Sequence, residues 1–154
     1  MNYIMSKTWS HPTWGFFHTF AEKVDKSFYN RNRDICLQMI KTICNLLPCP
    51  ICRVHATRYM KRINIQQLPT KEHFKNMLFK FHNDINSSLH KPQFPKQRLI
   101  VYQQRNIIHL IDLMCKEIKS FYKTNMFRMS ITSPNFTMLN NIQTSIHKYV
   151  RFFS

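Results

Sequence analysis

The chain has 154 residues, enough for one hydrophobic core and too few for two ordinary domains. It carries 23 Lys and Arg against 7 Asp and Glu, a formal net charge of +16, but the basic residues are dispersed (Arg31, Arg33, Lys41, Arg58, Lys61, Lys75) and form no run of five or six. Sixteen Ile, thirteen Asn and fourteen Lys beside one Gly and two Ala look like an A/T-rich coding bias, so a dedicated nucleic-acid surface is not expected. No apolar run approaches the roughly 20 residues of a membrane span, and the opening MNYIMSKTWSHP lacks the apolar segment of a signal peptide; a soluble, unexported protein is expected.

The near absence of Gly and the lack of alternating Val or Thr runs leave no convincing strand, which predicts an all-α chain. A first helix is expected from about Thr13 to Tyr29, with Trp14, Phe17, Ala21, Val24 and Phe28 at helical spacing and Trp14 stacked on His18 one turn later. A second runs from about Arg33 to Leu46, with Ile35, Met39, Ile43 and Leu46 as its apolar stripe, Cys36, Ile40 and Cys44 alongside, and Pro48 as its stop.

Next comes Cys49-Pro50-Ile51-Cys52-Arg53-Val54-His55. Pro50 suits the first position of a helix reaching about Ile63, because it has no N–H to leave unpaired and its φ is already helical. Cys49 then falls near the N-cap, where orphan N–H groups and the helix dipole favour thiolate, and the Arg53 cation adds to this. Cys52 follows one turn later, within disulfide reach, with His55 and Tyr59 continuing the same face. Redox chemistry is the first reading; a zinc site built from Cys49, Cys52 and His55 is the alternative, although no second CxxC or HxxxH pair occurs. A thioredoxin-like site would need a buried strand before the motif, where the sequence instead predicts helix.

Pro69 and Thr70 open a fourth helix reaching about Leu89, with Thr70 as N-cap. Phe74, Leu78, Phe81, Ile85 and Leu89 form its core stripe, while His82, Asn83, Asn86 and His90 share another face. That polar face could hydrogen-bond a heterocycle or could simply be solvated.

Three blocks together resemble the FAD-linked sulfhydryl oxidases typified by augmenter of liver regeneration and its small viral relatives. Trp9-x4-Trp14-x3-His18 is similar to W-G-x3-W-x2-L-H, with Ser10 in place of Gly and Phe17 in place of Leu. Leu47 to Thr57 is similar to the poxviral CxxC segment. His82-Asn83-Asp84-Ile85-Asn86-x2-Leu89-His90-Lys91-Pro92-x-Phe94 is similar to H-N-x-V-N-x2-L-G-K-P-x-F, with His90 in place of Gly.

The resemblance covers residues 9 to about 102. It implies a four-helix bundle with a short fifth helix, FAD in the bundle mouth and a homodimer. It assigns Cys49 and Cys52 as the catalytic pair, with Cys49 toward substrate and Cys52 toward the flavin. Ser10, Trp14, His18, Cys52, His55, His82, Asn83, Asn86 and Lys91 would surround FAD, the lysine near the pyrophosphate. Ser10 and His90 stand where the family's glycine lets the backbone come close. A protein dithiol or a small thiol-relay protein would donate electrons and O₂ would accept them, yielding hydrogen peroxide. No dedicated nucleic-acid or membrane binding is implied, and viral relatives without a signal segment suggest host cytoplasm or virion.

The resemblance divides the chain into an oxidase domain over residues 1–102 and a C-terminal helical extension over 103–154. The extension reads as helices from about 103 to 123 and from about Pro134 to Phe153, the latter capped by Ser133, with Leu139, Ile142, Ile146, Tyr149 and Phe153 as its stripe. Cys36 and Cys44, about 12 Å apart along one helix at 1.5 Å per residue, cannot pair directly and read as buried thiols. Cys115 falls in a core-like stripe and is not read as catalytic.

Overall fold

The computed structural model describes residues 7–129 and 132–154, and among them the fold is all-α. Helix α1 (Ser10–Lys23) is followed by α2 (Lys26–Arg31), α3 (Arg33–Asn45), α4 (Pro50–Lys61) and α5 (Lys71–Ser88). A 3-10 helix over Lys96–Gln104 then leads into α6 (Ile107–Met129) and α7 (Thr137–Lys148). No helix among the described residues is long and apolar enough to cross a membrane.

The expected single helix from Thr13 to Tyr29 is broken in two. Val24 is extended, and the Asp25 carboxylate accepts the Phe28 N–H, capping a new helix. The Asp25 N–H is free to donate to Phe152 O at 2.7 Å, and Val24 forms an isolated bridge with Phe153. The far end of the chain therefore seats in the break between α1 and α2.

Helix α3 turns Cys36, Leu37, Ile40, Ile43 and Cys44 inward and leaves Ile35 51% exposed, so its core stripe is rotated from the expected one. Cys36, Cys44 and Cys115 are buried free thiols, and burial pushes each well above the ordinary thiol range.

The expected helix from 103 is likewise split, because Arg105 is extended and the turn before α6 is capped by the Asn106 carboxamide, which accepts the His109 N–H. Helix α7 starts at Thr137, not Pro134: Asn135 accepts the Thr137 N–H, and Phe136, not Ser133, is the N-cap residue.

Helix α6 packs along α1, and α7 bridges α6 and α3. The one glycine permits the first of these contacts, since a Cβ at Gly15 would stand 3.0 Å from a Leu110 methyl. Ile111, Met114, Ile118, Leu139 and Ile146 join the same hydrophobic core as Phe16, Phe20, Ile40, Phe74 and Phe81. An acidic clasp, in which Asp112 Oδ1 accepts from Gln143 Nε2 at 2.8 Å and from His147 Nε2 at 2.7 Å, ties α7 to α6 at the surface.

Candidate active site

Cys49 is the N-cap of α4, with Pro50 in the first turn, and its Sγ accepts the Cys52 N–H at 3.3 Å. The cap is a sulfur where Ser or Asp usually stands, so the orphan N–H groups of the helix start fall on a thiol. Cys49 is half-buried and Cys52 is 7% exposed; both are free. Hydrogen bonding from the Cys52 thiol, then from the backbone, with the Lys7 cation adding, lowers Cys49 to about 6 against the opposing effect of burial. The same hydrogen bond, together with burial, raises Cys52. The two thiols are thus driven apart, one poised to ionise near neutral pH and the other held protonated.

Arg53 is not the cation responsible. Its guanidinium turns away to donate to Leu47 O at 3.2 Å and to the Tyr122 hydroxyl at 2.8 Å.

Cys52 and Ala56 form one wall of a narrow cleft, faced by Trp9, Trp14 and Phe17 of the first segment and by Phe81 and Ile85 of α5. The cleft is mostly apolar, and the Trp9 indole N–H is buried beside it without a partner among the described residues. Lys7, Ser10, Trp14 and Lys91 are shared with a second, wider and more open groove, which adds His82, Arg98, Tyr102 and Arg105. An apolar pocket touching Cys52 thus opens into a strongly cationic one.

A ladder of rings separates the grooves from the core. Trp14 and His82 are parallel, with centroids 4.0 Å apart, and Phe94 stacks on the other side of His82 at 4.6 Å. His18 lies beneath, bonded through Nε2 to His82 Nδ1 at 2.9 Å and flanked by Phe94 and Tyr102. Burial, with the His82 charge adding, lowers His18 to about 3; burial, with the Lys91 cation adding, lowers His82 to about 4. Both rings are neutral at physiological pH, which lets one donate to the other.

Of the residues singled out from sequence, Ser10, Trp14, Cys52, Asn86 and Lys91 line the cleft, and His82 lines the groove. His18 supports His82 from behind. Asn83 lines neither space: its amide donates to Phe94 O at 3.1 Å and accepts Phe94 N–H at 2.7 Å, fixing the loop that carries Phe94. His55 lies on neither wall.

His90 has φ 54, and the His90 and Lys91 N–H groups bond to Ser87 O and Asn86 O, the pattern that closes a helix with a left-handed residue. A left-handed position of this kind favours glycine, the residue that the resemblance places there. Lys7, Arg98 and Arg105 escaped the sequence reading, their charges lost among 23 basic residues, and Tyr102 escaped it with them. Among the described residues no group of three His, Cys, Asp or Glu could hold a metal ion.

The chain is 30% identical over 91 residues to protein 096R of Invertebrate iridescent virus 3, a match spanning 58% of this chain and 62% of that protein. It is 32% identical over 87 residues to the FAD-linked sulfhydryl oxidase ERV1 of Oryza sativa subsp. japonica, covering 56% of this chain and 44% of the relative. It is 30% identical over 83 residues to the FAD-linked sulfhydryl oxidase of African swine fever virus (isolate Pig/Kenya/KEN-50/1950), covering 54% and 69%. The chain thus spans less than two thirds of the length of the iridovirus 3 and rice proteins. No solved structure matches it significantly. A family model matches residues 11–106, the stretch that carries most of the cleft, the ring ladder and the Cys49–Cys52 pair, and the chain belongs to the Erv1 / Alr family.

Proposed function

We propose that the chain is an FAD-dependent thiol oxidase that introduces disulfides into protein substrates through Cys49 and Cys52. The observation that carries this reading is the placement of Cys52 in the wall of an apolar cleft while Cys49, with its lowered pKa, caps the helix outside that wall.

The residues fit the cofactor. The apolar cleft, with the unpartnered Trp9 N–H beside it, suits a flat, hydrogen-bonding ring system against Cys52. Lys7, Lys91, Arg98 and Arg105 suit a diphosphate, and the rings of Trp14 and His82 suit an aromatic base. No glycine-rich phosphate loop is needed in such a helical site, and none is present. When bound, FAD supplies the two-electron acceptance from thiols and their passage to O₂ as hydrogen peroxide.

The protein's own part is thiol–disulfide exchange. A substrate thiolate attacks Cys49 Sγ of the disulfide form; the Cys49–Cys52 bond breaks, Cys52 leaves with the electron pair, and a bond joins substrate to Cys49. The second substrate thiolate then attacks its partner sulfur in that mixed disulfide, and Cys49 leaves as the thiolate its surroundings favour. The substrate has lost two electrons and the Cys49–Cys52 pair has gained them. Lys7, whose cation favours the thiolate at both sulfurs although Cys52 as a whole is raised, steadies the charge that accumulates on the pair.

The electron donor in this reading is a protein dithiol or a small thiol-relay protein, the assembly is a homodimer, and the site of action is host cytoplasm or virion. Residues 1–102 carry the chemistry and 103–154 are a helical extension. The purified protein should be yellow, hold one FAD per chain and take up oxygen with a dithiol, and Cys49→Ser or Cys52→Ser should each abolish that uptake. Colourless, zinc-loaded protein would overturn the proposal.

A further inference from the structure

The turn between α3 and α4 leaves carbonyls at the end of α3 that no later residue of that helix can satisfy. Their donors come from elsewhere in the chain. The Tyr122 hydroxyl, on α6, lies 3.3 Å from Leu46 O and 3.3 Å from Leu47 O, and Arg53 donates to Leu47 O and to that same hydroxyl. Tyr122 is 2% exposed, its ring is wedged edge-on against Phe136 at 5.7 Å, and burial raises its pKa, so the hydroxyl stays a donor. One buried oxygen therefore grips the chain on both sides of the cysteine pair: Leu46 and Leu47 three and two residues before Cys49, and Arg53 immediately after Cys52.

We propose that Tyr122 is a positioning residue for the Cys49–Cys52 pair, holding the α3–α4 turn so that Cys49 Sγ stays on the N-cap of α4. Residue 122 lies outside the 11–106 segment that defines the family, so this chain has recruited its C-terminal extension to its own redox motif. The titratable and charged groups around Cys49 are Cys52 and Lys7; Arg53 faces away, and Tyr122 acts on Cys49 only through the backbone. Releasing the turn lets Sγ drift off the Cys52 N–H, a thiolate-stabilising contact already at 3.3 Å. When the thiolate of the reduced pair is less well stabilised, the disulfide form is a weaker oxidant.

The inference rests on the reading of Cys49 and Cys52 as the redox pair, and its test separates the two. In the full-length flavin-loaded protein, reduced and mapped by peptide mass, the rate of Cys49 alkylation by iodoacetamide is followed against pH. Tyr122→Phe keeps the ring and removes the hydroxyl; its profile should shift to higher pH, with the rate near pH 6 falling about threefold or more. The equilibrium of the Cys49–Cys52 disulfide with glutathione should move toward the disulfide by a similar factor. Arg53→Lys, which loses the fork but keeps the charge, should shift both in the same direction by less.

Ile142→Val loosens α7 without touching the hydroxyl bridge, and should lower the melting temperature while leaving the alkylation profile in place. An unshifted profile in Tyr122→Phe, or an equal shift in Ile142→Val, would overturn the inference. Absence of dithiol-dependent oxygen uptake in the unaltered protein would instead remove the oxidase reading, and the alkylation comparison would still decide what Tyr122 does.

Discussion

Trp14 of α1 and His82 of α5 lie face to face, 4.0 Å between centroids and 7° between planes, and His82 is at the same time bonded to the buried His18. His82 therefore has two separable jobs, stacking and hydrogen bonding. Replacing it with Phe retains an aromatic face for Trp14 but leaves a His18 nitrogen without its partner in a site 2% exposed. An orphaned buried polar group of this kind costs about 1 to 3 kcal/mol, so His82→Phe should lower stability by that amount in urea unfolding. His82→Ala should lose the stack as well and release the flavin more readily on dilution. Equal stability for His82→Phe and the unaltered protein would show that the His18–His82 bond contributes nothing.

The same pair sets an acid limit. His18 and His82 take up protons in the folded chain only near 3 and near 4, whereas unfolded histidines do so near 6.5. Between those values the unfolded state binds more protons, so stability is full above about 6.5 and falls as pH drops toward 4 and then 3. The urea midpoint should accordingly be lower at pH 5 than at pH 7.5, and His82→Phe, with one such group fewer, should show a smaller drop. A steeper drop in that variant would contradict the assignment.

How far all this could be read from sequence depended on how local each feature is. Pro50 and the spacing of Cys49 and Cys52 placed the cap correctly because a helix start is a property of a few adjacent residues. The partnership of Trp14 with His82 was only half legible: the motif supplied the His18 neighbour one turn away, but the closer ring comes from α5 and requires the two helices to be packed. The break at Val24 and Asp25 was hidden for a similar reason. The apolar spacing runs on to Phe28, and only the arrival of Phe152 and Phe153 makes an interrupted helix the better solution. Arg53 looked like the thiolate's cation by proximity in sequence, but Tyr122, invisible to any local pattern, draws it off.

Lys7 takes the electrostatic role instead. It lines both the cleft and the groove, adds to the lowering of Cys49 and opposes the rise of Cys52. Lys7→Gln should raise the pH at which Cys49 becomes reactive toward iodoacetamide, while Lys23→Gln, on a distant surface, should not. The sign of the linked stability change follows: the folded Cys49 ionises near 6 and its ordinary value is 9.0, so ionisation favours the fold above that ordinary value and the benefit fades as pH falls toward 6. Lys7→Gln should narrow that window from below. An unchanged reactivity profile would remove Lys7 from the site's electrostatics.

His90 offers the simplest gain in stability. Its φ of 54 lies in the left-handed region, where a side chain costs roughly 1 kcal/mol and glycine almost nothing. The conformation is held by two backbone hydrogen bonds, His90 N to Ser87 O at 3.1 Å and Lys91 N to Asn86 O at 2.8 Å, which do not involve the imidazole. His90→Gly should therefore keep Lys91 beside the cleft. It should raise stability by a few tenths to about 1 kcal/mol, the relief of strain being partly offset by the greater freedom of glycine in the unfolded chain. Because His90 lines neither the cleft nor the groove, flavin content and oxygen uptake should not change. A destabilised His90→Gly protein would mean that the imidazole makes a contact worth more than the strain it imposes.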